Sequence, residues 1–343
     1  MDAKARSLIM LCCLGLGFML SRLGIPALRR IKTGKFDIYI GDRFKTDGSE
    51  PSGGGAVLFG TFVIGLCAAW LTVTPERNEL LAGACCGVYC GALTALGLYE
   101  DIIREKKLGL GMKGGYTLLA RLLLSGVTVW LLGLFGIRSD KLLLPFRWGY
   151  LDLGAAYLPI AAALMTGIIY AFEAHDTQKG VPETGVDGLC ASSGALAGIA
   201  LSAVLSAGAE VSGRRLAAVI SLCIGASCAA FLIWGLPPAK IYIGRSGTGL
   251  IGGAFGCCMV CSGLWAAVLL MTAAPLTDAA TAALQRAVFW RKKKLLLKGA
   301  SLHEHFTNTR MSGYTAIAVF ALMTAAGTAL AGVYVWYESR III

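Results

Sequence analysis

The sequence predicts an all-α, polytopic membrane protein of about ten transmembrane helices with both termini outside. Three observations predict it. Of the 343 residues, 56% are hydrophobic and 15% charged, with a mean hydropathy of +0.69, and a water-soluble surface needs more polarity than that. Apolar stretches close to the length that a hydrocarbon core of about 30 Å demands recur between short polar breaks. Lysine and arginine gather in alternate breaks, which is how cytoplasmic loops are marked. This composition excludes a soluble enzyme, a disordered chain and a disulfide-stapled secreted module. The net charge of +11 reads first as a membrane feature, and no nucleic-acid partner is expected.

The stretches run approximately 7 to 27, 55 to 74, 80 to 99, 115 to 137, 156 to 172, 188 to 208, 216 to 236, 249 to 274, 276 to 290 and 314 to 336. The first is read as a helix because Ser21, Arg22 and Pro26 make no small-residue cleavage site. The ninth is short and carries Asp278, Gln285 and Arg286, which places it partly in the interface or against other helices. Nineteen Lys and Arg fall in the breaks 28 to 54, 100 to 114, 173 to 187, 237 to 248 and 291 to 313, against nine on the other side. The positive-inside rule therefore puts those five loops in the cytoplasm. Arg22, Arg121 and Arg286 lie within spans. Gly-rich helices imply close helix contacts, and no internal repeat divides residues 1–343, which read as a single membrane domain. All twelve cysteines sit in or beside apolar stretches and read as small buried hydrophobes. Cys258 and Cys261 have CxxC spacing but no His or carboxylate beside them, so packing is the better reading.

The five inner loops hold nearly every residue suited to polar chemistry. The first ends Lys45-Thr46-Asp47-Gly48-Ser49-Glu50-Pro51-Ser52-Gly53-Gly54-Gly55 before a helix, where free amides and a positive dipole can receive phosphate, or where glycines only ease the entry. The second opens with Glu100-Asp101 and continues through Arg104, Lys106, Lys107 and Lys113. Adjacent carboxylates can hold Mg²⁺ or act as base, and equally make a solvated ion-pair cluster. The third runs from Glu173-Ala174-His175-Asp176 to Val186-Asp187-Gly188-Leu189, with Asp187 either an N-cap or a contact for a nucleotide edge. The fourth, Pro237-Pro238-Ala239-Lys240-Ile241-Tyr242-Ile243-Gly244-Arg245-Ser246-Gly247-Thr248, offers a glycine turn for phosphate and Tyr242 as an interfacial anchor. The fifth holds Arg291-Lys292-Lys293-Lys294, suited to lipid headgroups, and Ser301-Leu302-His303-Glu304-His305-Phe306. Two histidines without a further close ligand make a poor zinc set, and phosphate or sugar suits them equally.

In this order on a ten-helix frame, the five loops resemble the phospho-N-acetylmuramoyl-pentapeptide transferases (translocase I) of the polyprenyl-phosphate N-acetylhexosamine-1-phosphate transferase superfamily. Three stretches carry the resemblance over essentially the whole chain. Pro238-Ala239-Lys240-Ile241-Tyr242-Ile243-Gly244 is similar to PAKxFxG, Val186-Asp187-Gly188-Leu189 to LDGL, and the segment from Lys294 to Leu302-His303-Glu304-His305-Phe306 to PxHHHF. The resemblance implies transfer of phospho-MurNAc-pentapeptide from its UDP carrier to undecaprenyl phosphate, with Mg²⁺ and release of UMP. This would occur on the cytoplasmic face of a bacterial plasma membrane, in peptidoglycan synthesis. It implies that Asp101 and Glu100 are the catalytic and metal-binding acidic pair, and that Lys45 and Lys113 contact phosphate or nucleotide. It further implies that Tyr242 stacks on uracil, Asp187 contacts the nucleoside, and His303 and His305 hold the sugar-phosphate end. The implied partners are the lipid bilayer, a polyprenyl phosphate and a UDP-sugar, and the implied assembly is a homodimer.

The chain departs from that pattern where a metal would bind. Arg245 stands where the GDxGS turn has its metal-binding Asp, and a cation cannot ligate a cation. Glu183-Thr184-Gly185 replaces the first half of NxxDGLDGL, the acidic pair is Glu-Asp, the central His is Glu304, and the GTPTMGG loop survives as Gly48-Ser49-Glu50-Pro51-Ser52-Gly53-Gly54. Two readings remain open. In one, Arg245 supplies part of the Mg²⁺ charge and Glu100, Asp101 or Glu304 recruits any remaining metal. In the other, the chain is a non-catalytic paralogue that binds lipid phosphate, nucleotide sugar or a cell-wall partner. A transporter finds no support, because the polar residues cluster in loops rather than on broken helices at the midplane.

Overall fold

The computed structural model describes residues 3–30, 51–72, 74–106, 112, 114–137, 141–143, 149–176, 186–206 and 212–339. Helices dominate them: α1 Ala3–Arg30, α2 Gly55–Thr72, α3 Arg77–Lys106, α4 Gly114–Leu134, α5 Tyr157–His175, α6 Leu189–Ser206 and α7 Ser212–Gly235, followed by α8 Gly244–Ser262, α9 Trp265–Met271, α10 Ala273–Lys292, α11 Leu302–Asn308 and α12 Gly313–Ser339. Between α4 and α5 a three-residue ladder pairs β1 (Lys141–Leu143) antiparallel to β2 (Tyr150–Asp152), with Lys141 opposite Asp152. The protein is all-α and multi-pass.

Among the described residues, eight helices (α1 to α7 and α12) are long and apolar enough to cross a membrane. Their outer faces are apolar: Leu71 is 88% exposed and Val88 74%, which suits lipid and not water. The bent pair α9–α10 makes a ninth candidate. Helix α8 is less apolar than these and has every residue except Arg245 buried. It packs against α3, α5 and α7, so lipid never meets its glycines and serines. Phe255 of α8 stacks on Phe172 of α5 at 5.5 Å within the main apolar core.

The stretch read as one span over 249 to 274 is two helices. Gly263 takes the left-handed conformation (φ 68°) that an L side chain resists, Ser262 Oγ accepts from Leu264 N at 3.2 Å, and the chain restarts as α9. Thr272 then separates α9 from α10 at a 76° bend. Asp278 and Gln285 of α10 are buried as expected for residues set against other helices. Gln285 Oε1 accepts from the Leu296 and Leu297 amides, which ties the following loop back to the helix. Each polar group thus finds protein rather than lipid.

Candidate functional site

Described parts of all five polar loops meet at one end of the bundle. Tyr242 N donates to Pro51 O and Gly54 N donates to Tyr242 O, which zips the first loop to the fourth. Asp187 Oδ2 accepts from Ala239 N at 3.3 Å and fastens the third loop to the fourth. Tyr314 Oη donates to Pro237 O at 2.7 Å and brings in the start of α12, after the fifth loop. Lys45 and Lys113 lie outside the described residues.

The acidic pair at the end of α3 organises the centre. Asp101 Oδ1 accepts from Arg245 N at 3.2 Å, and its Oδ2 from Ser246 N at 3.3 Å and Ser246 Oγ at 3.4 Å. A carboxylate from a distant helix therefore caps α8, whose first amides have no partner in their own helix. Gly244 makes this approach possible: its φ is +67°, and a Cβ there would stand 2.5 Å from Asp101 Oδ2.

Glu100, 1% exposed, accepts from Thr117 Oγ1 at 2.6 Å, Arg121 Nη2 at 3.1 Å and Arg245 Nη1 at 3.2 Å. Arg121, itself buried, also pairs with Glu173 of α5 and lies over the Tyr170 ring at 4.8 Å. Its Nη1 is buried without a partner among the described residues. A buried ion cluster of this kind repays its desolvation only when most of its members are matched. The cation of Arg245 is the accessible member, at 30% side-chain exposure.

The expectation that Glu100 and Asp101 hold Mg²⁺ does not fit this arrangement. Mg²⁺ needs hard oxygens in a near-octahedral shell. Here the Glu100 oxygens face a hydroxyl and two guanidiniums, and those of Asp101 face the start of α8. At Glu100 a dication would sit beside two guanidiniums.

The His303-Glu304-His305 segment does not act as one set. Glu304 Oε2 accepts from Ala300 N and His305 Nδ1 from Lys298 N, while His303 is 1% exposed and turns inward. There it meets residues that sequence reasoning did not join to it. Its Nδ1 lies 2.6 Å from Asp278 Oδ2, and Asp278 Oδ1 accepts from His303 N at 3.1 Å. Nδ1 of His175, the last residue of α5, lies 2.9 Å from the same Oδ2. Arg121, Glu173, His175 and Asp278 were thus absent from the expected site. Their signal was the presence of ionisable groups in or beside spans, which lipid makes expensive.

The sequence profile of glycosyl transferase family 4 matches residues 81–263, from α3 through α8. The chain is 28% identical to the phospho-N-acetylmuramoyl-pentapeptide-transferase of Heliobacterium modesticaldum, over 84% of this chain and 85% of that protein. It is 24% identical to the protein of that name from Shouchella clausii, over 92% and 93%. With the one from Synechococcus sp. it shares 28% identity, over 88% and 81%.

Proposed function

Because the chain belongs to glycosyl transferase family 4, we propose that it transfers a sugar phosphate from a UDP carrier to a polyprenyl phosphate in the membrane. Phospho-MurNAc-pentapeptide is the donor group that the names of the relatives suggest, and undecaprenyl phosphate is the acceptor in keeping with the resemblance. Peptidoglycan synthesis is then the process served, with the site on the cytoplasmic face.

An oxygen of the lipid phosphate forms a bond to the β-phosphorus of the UDP-sugar. The bond from that phosphorus to the oxygen bridging to the α-phosphorus breaks, and UMP leaves with the electron pair. Both reactants are anions, so the protein's task is to lower their repulsion and align them. The observation that carries the reading is Arg245, a partly exposed guanidinium held at Glu100 beside the capped start of α8. A guanidinium fork matches phosphate oxygens, and this one stands at the position from which the family resemblance leads one to expect a metal ligand.

One observation favours a second reading. Both carboxylates of the acidic pair are committed to protein groups, and a scaffold in that condition can bind a phosphate-bearing ligand without turning it over.

UMP release by the purified chain, given UDP-MurNAc-pentapeptide and undecaprenyl phosphate, separates the readings when run with Mg²⁺ and with EDTA. Release that persists in EDTA is the expected result. Release only with Mg²⁺ keeps the transfer and overturns the role given to Arg245. Silence from the native chain with activity in Arg245→Asp, or silence from both, favours binding without turnover.

A further inference from the structure

We infer that His175, Asp278 and His303 form a binding site for a transition-metal dication of the zinc class. The inference stands whether or not the chain turns over a UDP-sugar. The three side chains come from the end of α5, from α10 and from α11, and are 0%, 0% and 1% exposed. Their ligand atoms all lie within 4.8 Å of one another, and two imidazole nitrogens converge on the single oxygen Asp278 Oδ2. Two imidazoles and a carboxylate are borderline donors that suit zinc-class ions rather than Mg²⁺.

Charge distinguishes this cluster from the one around Glu100. Among the described residues the ion-pair partners of Asp278 are the two imidazoles, with no Arg or Lys beside them, whereas Glu100 has two guanidiniums. With both rings neutral the cluster carries one buried negative charge, which a dication would offset.

The protons also have places to go. Coordination through Nδ1 moves each ring proton to Nε2. His175 Nε2 already faces Ser193 Oγ at 2.9 Å, an outer partner of the kind that fixes a ligating imidazole. His303 Nε2 is buried with no partner among the described residues, so it can take up the second proton without breaking a bond. Ser301 Oγ, 2.9 Å from His303 Nδ1, is a second oxygen beside the two ring nitrogens. Ligand atoms around tetrahedral zinc stand about 3.3 Å apart, so the two nitrogen–oxygen spacings of 2.6 and 2.9 Å must each open by about half an ångström, within reach of small side-chain rotations.

The test is metal counting on the full chain, purified in detergent without a polyhistidine tag, stripped with EDTA, equilibrated with ZnCl₂ and freed of excess ion. One zinc per native chain is expected, with a tetrahedral absorption band when Co²⁺ replaces it. Asp278→Asn and His175→Gln should lose binding by more than the roughly 10- to 100-fold that loss of an outer partner costs. His305→Gln, which changes the neighbouring histidine facing Lys298, should keep it. No stoichiometric metal on the native chain overturns the proposal whatever the variants do. Zinc retained by the Asp278→Asn, His175→Gln double variant overturns it equally, by placing the ion elsewhere.

Discussion

Arg121 is the residue on which the polar end of the bundle most depends. It is buried between Glu100 and Glu173, and Arg121→Leu would leave both carboxylates without it. Breaking a buried pair from one side costs about 3–5 kcal/mol, so the variant should show a clearly lower thermal unfolding midpoint in detergent. Adding Glu100→Gln and Glu173→Gln should recover much of the loss, because the stranded charges go with their partner. If Arg121→Leu alone unfolds at the native temperature, the cluster contributes nothing to stability. At this scale the sequence was partly legible. Glu100 and Asp101 stood out because they are adjacent, and Arg245 because it breaks a motif. Arg121 and Glu173 lie 21 and 73 residues beyond Glu100, and no local pattern joins residues that only helix packing brings together. The same reason hid His175 and Asp278 from His303.

Among the elements, α8 is central to the proposed site and gave the least readable signal. Its glycine- and cysteine-rich sequence looked like the start of a longer apolar span, and one more glycine, Gly263, gave no sign that it would end the helix. Burial decided the matter: enclosed by α3, α5 and α7, the helix has no need of an apolar exterior. Close packing also sets where Arg245 and the Asp101 cap sit. A Cβ on Gly97 of α3 would stand 2.4 Å from Arg245 O and 2.5 Å from Ser246 N, which are backbone atoms that cannot swing aside. Gly97→Ala should therefore push the first turn of α8 away from Asp101 and destabilise the chain by about 1–3 kcal/mol, the usual cost of overpacking. Gly115→Ala on α4 is the matched control, since a Cβ there meets nothing within 4 Å. Thermal midpoints and UDP-sugar binding measured side by side should fall for Gly97→Ala only. Equal effects from the two would mean that the α3–α8 approach does not position the site.

For the whole molecule, composition and periodicity fixed the architecture because lipid constrains every span independently of its neighbours. What they could not show is that the described parts of the five basic loops converge through backbone and side-chain bonds at one end. That convergence makes orientation a property of the site as well as of the chain. Helix α12 begins beside Pro237 at the polar end and runs 27 residues, about 40 Å of helix, so its other end lies across the bundle. With nineteen Lys and Arg in the polar-end loops against nine in the opposite breaks, the positive-inside rule predicts a cytoplasmic polar end and an outer C-terminus. A green fluorescent protein fused after Ile343 should stay dark, and alkaline phosphatase fused there should be active. Fluorescence at the C-terminus would invert the bundle and turn Arg245 away from any cytoplasmic UDP-sugar, removing the donor from the proposed reaction.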